Sequence, residues 1–555
     1  MTALRLPRIA AAALLAALAA LGAPRVVVAD TYPRQPGVDV LHYAFRLTLS
    51  DETDAIEGEV TVTARLAAGT SEIALDLAQP KATPDRGMTV TAVTEAGAAL
   101  RHEHAGDRLR VFLGRPATDG ERRAVVVRYR GVPAGGLLIA PNKHGDRTFF
   151  SDNWPDKARQ WLPVVDHPSD KATSEMAVEA PARYQVVSNG LLAEETDLAD
   201  GRRLTRWRQS VPIAPWLYVL GAARFAVEHR PAWRGVPIET WVYPQDRDAG
   251  FRAFAEPTAD ALEFFATFVG PYSYERLANV QANGVRGGME SATSIFYGED
   301  SVSGPERRWD RVIVHEIAHQ WFGNAVTEGD WDDVWLSEGF ATYFTHLYVE
   351  HSEGRDAFVA GLKGSRDTIR EFDAKNPGYR IVHDNLSDMT KVVTGAGTYQ
   401  KGAWVLHMLR GVVGEGPFRA GIREYYRLYR DKNASTADFR RVMEEASGRE
   451  LGWFFDEWLL RGGMLKVAGR WRWDAAAKAL RLDLEQRQAG EPYRMPVEVA
   501  IEVAGEDEPR IERIDLAERR QALAIALDRE PRSVVLDPRT LVLMDADLEG
   551  VTAGP

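Results

Sequence analysis

The chain has 555 residues, 68 basic against 80 acidic side chains, and no cysteine. At about 100–200 residues per domain, that length predicts three or four domains. The formal charge of −12 excludes the basic surface that a nucleic-acid binder needs, and the lack of cysteine excludes disulfides, thiol catalysis, iron–sulfur clusters and Cys-ligated zinc. Any metal site must be built from His, Asp and Glu.

The first segment reads as a leader. Arg5 and Arg8 precede an apolar run from Ile9 to Ala23, too short to span a bilayer comfortably, and Val27 and Ala29 are small residues ahead of Asp30. Residues 1–29 are therefore expected to be a cleaved signal peptide. Its removal takes away three arginines and no acid, moving the formal charge from −12 to −15. No later segment offers eighteen uninterrupted apolar residues, so stable membrane insertion is not expected after cleavage. The remaining chain is expected in a periplasm or outside the cell.

From residue 30 to about 230 the pattern has period two: Tyr43, Phe45, Leu47 and Leu49, then Val60, Val62, Ala64 and Leu66, alternate with polar or small residues. This predicts an N-terminal, mostly antiparallel β domain. Residues 231–461 read as a mostly helical domain. Phe254, Ala261, Leu262, Phe265 and Phe268 fall at helical spacing, with Pro257 expected to open that helix. A short strand at Leu277–Gln281 leads into a glycine-rich turn, Gly284 to Gly288. Helices are expected over Asp310–Phe322, Val334–Tyr348, Gly402–Val413 and Phe439–Ser447. After Gly462-Gly463 alternation returns, predicting a C-terminal β-sandwich over 462–555. The fold class is thus multidomain α+β.

The chemistry concentrates in His315-Glu316-Ile317-Ala318-His319. Two histidines four apart on a helix share a face, so both imidazoles can reach one ion. Glu316 stands beside the same ion, where it can handle a proton from a bound water. Glu338, in Trp335-Leu336-Ser337-Glu338-Gly339, can return a carboxylate as third ligand. Two His and one Glu with an open fourth position is a catalytic zinc arrangement, one ion per chain. His-Glu-x-x-His arises by chance in roughly two such chains per hundred, and with Glu338 also required in about one per thousand.

Four stretches in order, Gly287-Gly288-Met289-Glu290, His315-Glu316-x-x-His319-Gln320-Trp321-Phe322-Gly323-Asn324, Trp335 to Ala341, and Tyr399-Gln400-Lys401-Gly402-Ala403, resemble the aminopeptidase N family of zinc metallopeptidases. The resemblance covers about residues 35–460 well and the C-terminal part more loosely. It implies a thermolysin-like catalytic domain and hydrolysis of the N-terminal peptide bond of peptides. His315, His319 and Glu338 would hold zinc, Glu316 would be the general base, and Tyr399 would donate to the oxyanion. Glu290 would grip the free α-ammonium, while Gly287, Gly288 and Met289 would form the edge along which the substrate backbone lies.

The sequence departs from the family in three places. Ser291 follows Glu290 where Asn is usual. The N-terminal amide or acid that normally joins the amine site falls on Trp154; Asp152 or Asn153 is the alternative partner, with Trp154 as a substrate wall. The chain also stops without the large helical domain of many relatives, which predicts a short form with a more open cleft. Asn324, Asp332 and Asp333 are candidates to orient the metal histidines. Two other readings stay open: an endopeptidase or epoxide hydrolase on the same scaffold, or an inactive relative that binds peptides. Side-chain preference and oligomeric state are not encoded legibly; Trp154, Met289 and Tyr297 are candidate pocket walls.

Overall fold

A computed structural model describes residues 30–82, 85–302, 309–383, 387–391 and 394–551. The expected signal peptide, 1–29, lies outside the described residues.

The N-terminal part is β-rich. Val38–Thr48 pairs antiparallel with Ile56–Leu66 and parallel with Ala172–Pro181, at the centre of a nine-stranded sheet. Tyr43, Phe45, Leu47 and Leu49 are buried while Arg46 is exposed, as the period-two pattern requires. A five-stranded sheet follows, in the order Ala226–Trp233, Val236–Val242, Leu277–Ala282, Ser294–Gly298, Gly288–Met289. The two-residue strand Gly288–Met289 is its open edge, antiparallel to Ser294–Gly298.

Eight described helices then build the helical region: α1 Arg247–Phe268, α2 Asp310–His319, α3 Trp335–Glu353, α4 Arg355–Lys375, α5 Gly402–Val413, α6 Glu415–Tyr429, α7 Thr436–Ser447 and α8 Gly452–Leu459. Three boundaries differ from expectation. α1 begins ten residues before Pro257, which lies buried inside it; the entry signal is Pro244, opening the short turn Pro244–Asp246 just ahead. α2 stops at His319 because Gly323, with φ +107°, turns the chain back where a Cβ would strike the Ser337 hydroxyl at 2.2 Å. α7 begins at Thr436, behind a reciprocal capping box between Ser435 and Asp438.

C-terminal to α8 stand a four-stranded sheet, in the order Arg520–Ala526, Ala479–Gln486, Leu465–Asp474, Met544–Gly550, and a three-stranded sheet, Arg510–Leu516, Met495–Val503, Pro531–Leu536. Their buried Leu480, Leu482, Val497 and Val499 are continuous with the apolar core of the helices. A second core fills the N-terminal part, and the five-stranded sheet joins the two. Ile295 and Tyr297 face the helical core, whereas Met289, Ala292 and Phe296 face the other.

Candidate metal and peptide site

α2 presents His315 and His319 one turn apart, with their Nε2 atoms 3.1 Å from each other and their rings nearly perpendicular. The first turn of α3 brings Glu338 to them. Its Oε2 lies 3.2 Å from His319 Nε2 and 3.5 Å from His315 Nε2. The ligand atoms of all three lie within 4.8 Å of one another. Glu338 Oε2 has no hydrogen-bond partner although it is buried, and its Oε1 accepts from the Tyr399 hydroxyl at 2.8 Å. Tyr399 lies in the Gly395–Lys401 turn that runs into α5, its ring parallel to that of His315 at 6.0 Å.

The far nitrogen of His319 is fixed from behind. Nδ1 lies 3.1 Å from the Phe322 carbonyl and 3.1 Å from Ser337 Oγ, which leaves Nε2 free to face the cavity. These partners stand where the sequence offered Asn324, Asp332 and Asp333 as candidates. Asp333 instead accepts from the Thr436 amide at 3.1 Å and its hydroxyl at 2.6 Å, so it ties α3 to the start of α7.

Glu316, one residue beyond His315, is buried beneath the edge strand, against Gly288. The Gly298 amide donates to the Gly287 carbonyl at 3.0 Å, so by strand alternation the N–H and C=O of Gly288 point away from the sheet. Glu290 follows on the same edge, buried, with Oε1 unpartnered. Its backbone carbonyl is held twice, by Asn324 Nδ2 at 2.6 Å and Gln320 Nε2 at 3.0 Å, while Gln320 Oε1 accepts from the Thr293 amide at 3.1 Å. Lys171 Nζ in turn donates to the carbonyls of Asn324 and Ala325 at 2.9 and 3.0 Å. Asn324, expected among the partners of the metal histidines, thus holds the Glu290 carbonyl instead, together with Gln320, which stands in the turn directly after the second histidine, in the stretch that carries the resemblance.

Glu290, His315, Glu316, His319, Glu338 and Tyr399 line one open cavity of 430 Å³. Three expected neighbours lie elsewhere. Trp154 packs edge-on against Trp216 and Trp331, at 4.7 and 5.0 Å, and is absent from the cavity lining. It fills an aromatic cluster rather than a substrate wall because the chain turns it toward those two rings. Asp152 is bound by Lys157 at 2.6 Å and lines a separate cleft with Gly284, and Asn153 is buried, its Oδ1 accepting from Trp161 Nε1 at 2.8 Å.

Three buried carboxylates face two imidazoles in this cavity. Burial pushes the Glu290 carboxyl up to about 7, with Glu338 and Asp152 adding to the rise and His319 opposing it; burial likewise pushes Glu316 well above the usual carboxylate range. Burial would also raise Glu338, yet the two histidines outweigh it and hold that carboxyl at about 2. The set is short of positive charge. A dication fits it: two imidazole nitrogens and an unpartnered carboxylate oxygen converge on one point, with a nitrogen-and-oxygen donor set suited to zinc.

Comparison with known proteins agrees with this geometry. Residues 40–217 match the Peptidase M1 N-terminal domain and residues 254–458 the Peptidase family M1 domain. Glutamyl aminopeptidase of Bitis rhinoceros is 28% identical over 461 residues, 79% of this chain and 48% of that protein. The human glutamyl aminopeptidase is 31% identical over 335 residues, 58% of this chain and 35% of that protein. The chain thus spans about half the length, or less, of the curated relatives it matches. Among solved structures, the M1 zinc metallopeptidase from Deinococcus radiodurans superposes with a TM-score of 0.66 at 27% identity, over 77% of this chain and 94% of that one.

Proposed function

The chain belongs to peptidase family M1, and from that membership we propose that it is a zinc-dependent aminopeptidase, removing single residues from the free N-terminus of peptides. The observation that carries the reading is the buried Glu290 carboxylate, its Oε1 without a partner, on an open strand edge beside the His315–His319–Glu338 cluster.

His315, His319 and Glu338 would hold the zinc. When bound there, zinc supplies a Lewis acid for the scissile carbonyl and lowers the pKa of a water to about 7. Glu316 takes the proton of the attacking water and delivers it to the departing amine. The outward N–H and C=O of Gly288 pair with the substrate backbone, with Gly287 and Met289 completing that edge. Glu290 binds the α-ammonium, and this fixes which bond reaches the cluster: the first. A substrate without that cation leaves a buried carboxylate unpaired and is rejected. Tyr399, bonded to Glu338 in the free protein, is the hydroxyl beside His315 able to turn to the developing oxyanion. Because Asp152 is engaged by Lys157, amine anchoring rests chiefly on Glu290.

We also read residues 30–230, 231–461 and 462–555 as an N-terminal β domain, a thermolysin-like catalytic domain and a C-terminal β-sandwich; the two C-terminal sheets with a shared buried face support the last. Residues 1–29 are read as a cleaved leader that sends the chain to a periplasm or the medium. Among the described residues, no helix is long and apolar enough to cross a membrane.

The test compares an amino-acid amide chromophore with its Nα-acetylated form. Release from the free amine alone is expected, and equal turnover of the two would overturn the exopeptidase reading.

A further inference from the structure

Asp30 is almost fully buried, and its backbone nitrogen lies 3.1 Å from both carboxylate oxygens of Asp330. The Asp30 carboxylate accepts from the Tyr32 amide at 3.0 Å and the Trp331 amide at 3.3 Å, and its Oδ2 stands 2.8 Å from His167 Nε2. Burial alone would raise this carboxyl, but the hydrogen bond and charge of His167, with the Tyr32 and Trp331 amides, draw it down to about 2. Arg34 reaches Asp330 at 2.8 Å and lies 4.0 Å from Asp30. Among the described residues it is the one permanent cation paired with either carboxylate. Both oxygens of Asp330 therefore converge on the Asp30 nitrogen, while the Asp30 carboxylate is turned to His167, and one guanidinium answers the surplus of acid. A neutral peptide N–H is a weak answer to that surplus, whereas a charged donor makes a bond about twice as strong.

The sequence supplies the means of making that donor charged, because the Ala29–Asp30 bond is the expected cleavage point behind Val27 and Ala29. Resting on the reading of residues 1–29 as a cleaved leader, we propose that hydrolysis of the Ala29–Asp30 bond frees an α-ammonium at Asp30 that ion-pairs with Asp330, and that this new terminus fastens the loop leading into α3. A signal peptidase adds one water across the amide: the hydroxyl goes to the Ala29 carbonyl carbon and the hydrogen to the Asp30 nitrogen, which takes up a further proton at neutral pH. The nitrogen exchanges one neutral donor for three charged ones beside oxygens already in place. Asp330 also caps the Trp331–Asp333 turn, accepting from the Asp332 amide at 3.0 Å, and α3 follows at Trp335 with Glu338 in its first turn. The terminus is thereby tied to the element that carries the third metal ligand.

The experiment uses the chain from Asp30 onward in three forms: free amine, Nα-acetylated, and preceded by Gly-Ser, each also carrying Asp330→Asn. N-terminal sequencing of the exported protein is expected to begin at Asp30. With Asp330 intact, the free-amine form is expected to melt about 1–2 °C above the acetylated and extended forms, and in Asp330→Asn that gap should close. Equal midpoints with Asp330 intact would overturn the proposal, as would an exported protein that begins elsewhere. If Asp330→Asn does not fold, the free and acetylated native sequences decide the matter between themselves. Melting reads the terminus and not peptide hydrolysis, so a failure here and a failure of the aminopeptidase reading are told apart.

Discussion

A Cβ built on Gly288 would lie 2.3 Å from the Cγ, Cδ and Oε1 atoms of Glu316. The edge strand and the Glu316 carboxylate therefore share space that one methyl group would take away. Gly288→Ala is expected to displace the Glu316 carboxylate and lower kcat about 10²-fold, the cost of roughly an ångström of misplacement at a reacting group. Bound zinc, measured by atomic absorption, should stay at one per chain, because the atoms nearest the new methyl all belong to Glu316 and not to a ligand.

Glu316→Gln keeps the shape and removes the basicity. Turnover is expected to fall by about 10²–10⁴-fold with zinc retained. Unchanged turnover in this variant would mean that another group moves the proton.

Removing the metal should be visible without substrate. Zinc a hundredfold above its dissociation constant stabilises a protein that binds it only when folded by about 2.7 kcal/mol. Chelation is thus expected to lower the thermal midpoint and added zinc to restore it. In Glu338→Ala, which loses the unpartnered ligand oxygen, calorimetry should show little or no zinc-dependent shift.

Asn324→Ala removes one of two donors from the Glu290 carbonyl. With a buried hydrogen bond lost at about 1–3 kcal/mol, kcat/KM for free-amine substrates is expected to fall roughly 5- to 100-fold, mostly through KM. Zinc content should not change, since Asn324 side-chain contacts run to the amine anchor and not to the metal ligands.

Glu328 gives a pH signature. It is 1% exposed, neither carboxyl oxygen has a partner, and burial chiefly pushes its carboxyl from 4.5 to about 8. Between those values the folded chain keeps a proton that the unfolded chain has released, so each rise in pH favours unfolding. Its part in stability is intact below about pH 4.5 and declines until about pH 8. Glu328→Met cannot titrate. Chemical denaturation from pH 5 to 8 should show the variant gaining on the parent by an amount on the order of a few kcal/mol.

The histidine pair was legible from spacing, since His315 and His319 one helical turn apart can serve one ion wherever the helix lies, whereas Glu338, on another helix, gained its place from the resemblance of its stretch. Gly402–Val413 was equally legible, its apolar face unbroken by a cap or proline. The start of α1 was misread because a buried proline can sit inside a helix when tertiary packing outweighs its missing donor. The orienting partners of His319 were invisible for a different reason. One is a backbone carbonyl, carried by every residue alike, and the other, Ser337, arrives from another helix. Trp154 shows the limit of alignment by motif: its position along the chain matched a site residue, while the neighbours that receive its ring, Trp216 and Trp331, lie far off in sequence.

The sheet whose edge is Gly288–Met289 is shared by two apolar cores, with Ile295 and Tyr297 in one and Met289 and Phe296 in the other. Neither half alone gives that sheet both of its supports. The edge strand and the His315–His319–Glu338 cluster consequently come into register only when both cores have formed.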